Sequence, residues 1–400
     1  MPVATSSFGM AAGAFLFGSI SDTAGRKKSI AVSTSIIFCA SASLSFAQTN
    51  FLINLSVFIL GLGVAGNNTV LRVYLIECLS MRKRGTCLAV IDTLWVIGYL
   101  TALVLVILYG VPSLVIACAS GLLPSSPRYS LYRRKPRQAL AVLRQMYAIN
   151  NSKHADTYPV RNLENCVRPD EGTNQDSDDF VDRLQGYFTK TWKRICRIHK
   201  SPYKRTTLCG VLACLLHFPG FAWLALWNTH VLQELEKNTV DENGTCNVSF
   251  QNVVLGFLQN CDQMNEDRFY LLLLVSLGYV LGELLLIIGI DVVGRKPYLI
   301  SSGIVGGVAT LALIFRMHHA PRVVLSSVFL AAYAIGRTTT CVSLMENYPT
   351  ALRGTTMGLT KILPHLAVSA TLHLPTTTCS LSAAFVMLPV LDLTRLPMKE

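Results

Sequence analysis

The sequence predicts an all-α polytopic membrane protein, and three observations carry that prediction. Of the 400 residues 51% are hydrophobic and only 14% charged, with a mean hydropathy of +0.44. Soluble domains carry nearer ~25% charged residues. The apolar residues gather into runs long enough to cross a hydrocarbon core, which takes about 20 residues of helix. The connections between these runs alternate between rich and poor in Lys and Arg.

The runs cover 3–20, 29–48, 52–76, 87–105, 107–124, 208–228, 269–290, 298–316, 323–345, 357–374 and 379–391, about 11 spans. Nearly all connecting Lys and Arg fall in the connections that begin at Ser21, Leu79, Pro124, Asp291 and Glu346. Basic connections stay in the cytosol, so the amino terminus is expected on the opposite side. No cleavable signal peptide is expected, because the first run begins at Val3 with no basic stretch before it.

Three regions follow: a transmembrane bundle over 1–124, a cytosolic central loop over 125–207, and a second bundle over 208–400 with an extracytosolic loop at 229–268. The central loop opens with "RRKPRQALAVLRQMYAINN", which reads as a helix with Leu140, Leu143, Met146 and Tyr147 on one face. Its middle, "RPDEGTNQDSDDF", reads as a linker. Its end, "TKTWKRICRIHKSPYKR", is basic with an interfacial Trp192, suited either to anionic lipid or to a cytosolic protein partner. The outer loop carries two glycosylation sequons, at Asn243 and Asn247. Sequons at Asn150 and Asn67 fall on the wrong side or within a span. Cys246 and Cys261 share the outer loop and form a candidate disulfide there.

Several functions are set aside. The net charge of +12 sits beside apolar segments, which points to the bilayer as partner rather than to nucleic acid. The twelve cysteines show no zinc spacing, so no metal site is expected. No phosphate-cradling G-x-x-x-x-G-K-S/T is present, and no nucleophile elbow. Neither a cofactor nor an enzymatic activity is expected.

One short turn, "GSISDTAGRKKSI" at 18–30, places acid and base between two apolar runs, and "GIDVVGRKPYLI" repeats it about 270 residues later. The turn resembles the signature G-x-x-x-D-x-x-G-R-R/K of the major facilitator superfamily through Gly18, Asp22, Gly25, Arg26 and Lys27. The repeat matches at Asp291, Gly294, Arg295 and Lys296, with Ile287 in place of the first Gly. "LIECLSMRKRG" is similar to the family's E-x-x-x-x-x-x-R-G loop through Glu77, Arg84 and Gly85. "ENYPTALRG" repeats it through Glu346, Arg353 and Gly354. "LPSSPRYSL" resembles the P-E-S-P-R-Y/F segment, with Ser125 at the usual Glu. Together with "LAVIDTLWVIG" and "ALAVLRQMY", these stretches resemble the synaptic vesicle glycoprotein and organic ion transporter branch, and "HADTYPV" is similar to its insect members.

The resemblance implies the major facilitator fold: two pseudo-symmetric six-helix bundles that rock about a midplane site. It also implies that Asp22, Gly25 and Arg26 bear on conformation by joining the halves on the cytosolic side. The first signature here follows the first span, whereas the family places it after the second. The first family helix is therefore expected to be missing.

Ionisable groups inside spans are costly and usually functional. Asp92, Glu283, Arg337 and His365 stand out as candidate cavity residues. Glu283 and Arg337 lie nearest the middle of their spans, both in the second half, and suit either a pair lining the cavity or a structural ion pair. Asp92 lies nearer the cytosolic end and is expected to brace helices. Two functions remain: secondary transport of a small solute, an organic ion or a carbohydrate-like molecule, with or without a coupled ion; or a non-transporting vesicle or surface glycoprotein, or an inactive truncated transporter.

Overall fold

In lipid every backbone polar group must be satisfied within the chain, so an apolar run has little choice but to coil. The structure, a computed structural model, describes residues 2–80, 83–104, 124–133, 135–152, 154–160, 163, 180–215, 266–314 and 319–371. The predicted spans 107–124 and 379–391 and the outer loop 229–268 lie almost wholly outside the described residues. So do Asn243, Asn247, Cys246 and Cys261.

The first half contributes α1 (Pro2–Ala24), α2 (Arg26–Ser45), α3 (Asn50–Cys78) and α4 (Arg84–Val104). The central segment follows with α5 (Pro127–Tyr132), α6 (Pro136–Asn151) and α7 (Phe180–Ile198), and a helical run, α8, over 204–215 enters the predicted span 208–228, whose remainder lies outside the described residues. The second half adds α9 (Glu266–Val293), α10 (Arg295–Ile314), α11 (His319–Asn347) and α12 (Thr350–Thr371). Four stretches within these are long and apolar enough by themselves to cross a membrane: Arg26–Ser45, Asn50–Cys78, Leu274–Val293 and Val323–Asn347. The helices extend past most of the sequence-predicted limits, because coiling continues to the glycine turns beyond the apolar run. Those turns are Gly25 and Gly294, at φ 105° and 95°, a backbone conformation open chiefly to glycine.

Apolar side chains face outward as well as inward. On α9, Leu285, Ile288 and Val292 are 57%, 76% and 86% exposed, as a helix side meeting lipid rather than water requires. The interior is rich in small and hydroxylated residues. Ser29, Thr34, Thr69 and Thr340 are buried and return their hydroxyl protons to carbonyls one turn back. Such residues let helices approach closely without leaving a polar group unsatisfied.

Packing repeats between the halves. Helices α1 and α2 lie on α3, as α9 and α10 lie on α11. Across the molecule, α1 packs on α12 and α4 packs on α9. A Cβ at Gly18 would meet the Gly354 carbonyl at 2.5 Å, so this glycine sets the α1–α12 approach.

Candidate functional site

The two glycine turns deliver an Asp and an Arg, one helical turn apart, to the Lys/Arg-rich face of the bundle. In the first copy, Arg26 Nη2 lies 3.0 Å from Asp22 Oδ1. Its Nε and Nη2 also fork onto Glu77 at 3.2 and 2.9 Å. In the second copy, Arg295 Nη2 lies 2.9 Å from Asp291. It forks onto Glu346 at 3.2 and 3.0 Å. Each residue has its counterpart 269 positions on: 291 for 22, 295 for 26, 346 for 77. A guanidinium meeting a carboxylate through two parallel N–H groups is the strongest ionic geometry a side-chain pair makes.

Both aspartates reach across the molecule. Asp22, on α1, accepts from the Gly354 and Thr355 amides at 3.2 and 2.7 Å and from the Thr355 hydroxyl at 2.7 Å, all on α12. Asp291, on α9, accepts from the Gly85 and Thr86 amides at 3.2 and 2.9 Å and from the Thr86 hydroxyl at 2.7 Å, at the start of α4. Each half thus caps a helix of the other with a carboxylate, where free amides and the helix dipole favour negative charge. Sequence reading misses Thr86 and Thr355. The repeated "RGT" at 84–86 and 353–355 was the available signal.

The two latches are unequal. The Asp22, Arg26 and Glu77 side chains are at most 1% exposed, whereas Asp291, Arg295 and Glu346 are 12–14% exposed. Arg353 donates to the Met345 and Tyr348 carbonyls at 2.8 and 2.9 Å, and its Nη1 lies 3.8 Å from Glu77. Its counterpart Arg84 is as buried, yet its Nε and Nη2 find no partner among the described residues. Lys27 is partly exposed and Lys296 exposed; the arginines carry the contacts, the lysines flank them.

The central segment packs onto the first latch. Ser126, next to the Ser125 substitution, donates to Glu77 at 2.7 Å and caps α5. The Tyr129 hydroxyl donates to the Thr23 carbonyl at 2.9 Å, with its ring beneath the Arg26 guanidinium. Burial pushes its phenol above the ordinary tyrosine value. On α7, Tyr187 meets Ser19, and Arg194 donates to the Asp22 carbonyl at 3.4 Å.

Deeper in the bundle lies a second cluster. Asp92 Oδ1 lies 2.6 Å from Arg72 Nη2 and 3.3 Å from Arg337 Nη2, the latter an ion pair without hydrogen-bond alignment. Thr338 Oγ1 lies 2.6 Å from Asp92 Oδ2 and 2.8 Å from Glu283 Oε1. The carboxylate that Arg337 meets is therefore Asp92, not the Glu283 that sequence position suggests. Packing explains the correction: Arg337 and Thr338, neighbours on α11, both reach Asp92 on α4, and it is Thr338 that touches Glu283. Arg337 also stands over the Trp95 and Tyr279 rings. Lys361 donates to Thr69 at 3.1 Å, and His365 is buried one turn further along α12. Here too the 269-residue offset applies, since Lys361 and Thr338 are the counterparts of Asp92 and Thr69. Arg72 and Lys361 are charges inside apolar runs and could have been found by the rule that singled out the other four.

Two helical halves joined by reciprocal caps, with a charged cluster between them, define a multi-pass integral membrane protein of the major facilitator fold. The chain belongs to the Sugar (and other) transporter family, which it matches over residues 1–388. It is 24% identical to synaptic vesicle glycoprotein 2B of Rattus norvegicus over 259 residues, 55% of this chain and 37% of that protein. It is also 24% identical to synaptic vesicle 2-related protein of Bos taurus over 373 residues, 88% of this chain and 62% of that one. The chain thus spans little more than a third of the vesicle glycoprotein it matches. Among solved structures it is similar to the proton:xylose symporter XylE bound to 6-bromo-6-deoxy-D-glucose, with TM-score 0.66, 16% identity, and 98% and 84% of the two chains covered. The human organic anion transporter MFSD10 aligns with TM-score 0.57 at 16% identity, covering 98% of this chain and 83% of that one.

Proposed function

We propose that the chain is a secondary transporter that carries a small organic solute by alternating access, with its Lys/Arg-rich face in the cytosol. The observation that carries this reading is the reciprocal capping by Asp22 and Asp291. These contacts join different halves through hydrogen bonds that water can replace, so they can open and close without unfolding either half. With both latches made, the cytosolic side is shut. A solute that binds the closed and open states unequally then shifts their populations. Family membership supports a small solute, and the solute site is the region between the halves near Asp92, Arg337 and Glu283.

The test is uptake by the purified chain in liposomes, using labelled panels of monosaccharides, organic anions and organic cations. Saturable uptake of one class, altered by Asp22→Asn, supports transport. Absence of uptake for all three classes, from protein whose latch distances respond normally to Asp22→Asn, favours a non-transporting membrane glycoprotein.

A further inference from the structure

The contact between Asp92, Thr338 and Glu283 contains a proton that the ionised forms do not supply. A threonine hydroxyl has one hydrogen. Its oxygen nevertheless lies within hydrogen-bond distance of two carboxyl oxygens, 2.6 Å from Asp92 and 2.8 Å from Glu283. If both acids were ionised, one of these contacts would be two oxygens facing each other with no hydrogen between them. The second hydrogen must belong to one of the acids.

The surroundings decide which. Asp92 has Arg72 and Arg337 against one oxygen and takes the other hydrogen bond on its second. Glu283 is fully buried and is not ion-paired among the described residues, and its Oε2 has no hydrogen-bond partner there. A buried carboxylate in that position would hold uncompensated charge, whereas a carboxylic acid would not. Other groups turned toward this cluster are Tyr279 on α9, Tyr333 and Cys341 on α11 and Lys361 on α12.

We propose that Glu283 is a proton-binding site of this protein, occupied when the halves are closed and emptied when they part. In the closed state the Glu283 carboxylic acid donates to Thr338 Oγ1, and the Thr338 hydroxyl donates to the Asp92 carboxylate. Asp92 stands on α4 of the first half; Glu283 and Thr338 stand on α9 and α11 of the second. Separation of the halves removes the Asp92 acceptor and admits water, and Glu283 releases one proton to it. Closure takes the proton back. Conformation and proton are thereby linked, one for one. The inference rests on the alternating-access reading for its consequence, but the site itself is a statement about where a hydrogen lies.

The test is infrared spectroscopy of the full chain in liposomes, together with a pH series of distances between labels on the two halves. At neutral pH the parent should show the carbonyl stretch of a buried carboxylic acid, lost in Glu283→Gln. Gln can still donate to Thr338, so the variant keeps the bridge without the ionisation. The ratio of closed to open states in the parent should fall about tenfold per pH unit once Glu283 ionises in the open state, as one released proton requires. In Glu283→Gln that ratio should not change with pH over the same range. Either a parent with no acid band at neutral pH, or a band that survives Glu283→Gln, overturns the assignment. An intact band with no solute uptake would leave the proton site standing and remove the transport reading.

Discussion

Thr355 holds Asp22 twice, through its amide and its hydroxyl, each at 2.7 Å, across a sequence separation of 333 residues. The pair ties the two halves together at the basic face, and it is repeated in the opposite sense by Thr86 and Asp291. Removing its charge is the most direct perturbation of the latch. Asp22→Asn keeps the shape but weakens both the attraction to the α12 amides and the pairing with Arg26. We expect the closed-to-open ratio to fall by about 5–30-fold, the equivalent of roughly 1–2 kcal/mol. Asp291→Asn should act less, because its latch is partly hydrated and Ile287 stands where Gly18 stands in the first copy. Label distances between α1 and α12 measure the first, and between α4 and α9 the second. Equal populations in parent and Asp22→Asn would leave the motif as a topological anchor.

The hydroxyls can be separated from the amides. Thr355→Val removes one hydrogen bond and leaves both amide bonds to Asp22, so it should weaken the closed state by about 1 kcal/mol. Thr355→Ser should restore the parent value. A Val variant indistinguishable from the parent in the same distance measurement would show that the amides alone hold Asp22.

Thermal unfolding in detergent addresses the ion pairs. Arg26→Ala leaves Asp22 buried without its ion-pair partner, and Glu77 with only Arg353 at 3.8 Å, and should cost about 3–5 kcal/mol. Arg295→Ala should cost less, since water reaches Asp291 and Glu346. Combining Arg26→Ala with Glu77→Ala should cost less than the two single losses together, the mark of direct coupling. Strict additivity would mean that the fork contributes nothing of its own.

The orientation assigned from basic connections is checked with a membrane-impermeant maleimide on intact cells. A Gly172→Cys side chain should stay unlabelled, and a cysteine placed in 229–268 should react. Labelling at position 172 from outside would invert the arrangement.

Glycosylation offers an independent check on the same loop. Replacing Asn243 and Asn247 by Gln should raise gel mobility as far as glycosidase treatment does. Unchanged migration of both, in protein made through the secretory pathway, would mean that the sequons are unused and would weaken the outside assignment.

What the sequence alone determined is the local chemistry. The apolar runs dictate helices because lipid offers the backbone no partner. Gly25 and Gly294 dictate where those helices break. The recurrence of Asp, Gly, Arg, Glu and Arg-Gly at one offset marks a duplicated unit and points to its basic face. What only the tertiary structure decided is who meets whom. Asp22 can be read as an anion seeking a cation or a helix start, but nothing near it in sequence says that the helix belongs to the other half. Arg337 and Glu283 look like partners by depth, whereas packing turns Arg337 to Asp92 and leaves Thr338 between the two acids. The reason is geometric. Depth along a helix is readable from residue number, but direction around its axis acquires meaning only when the neighbouring helices are in place.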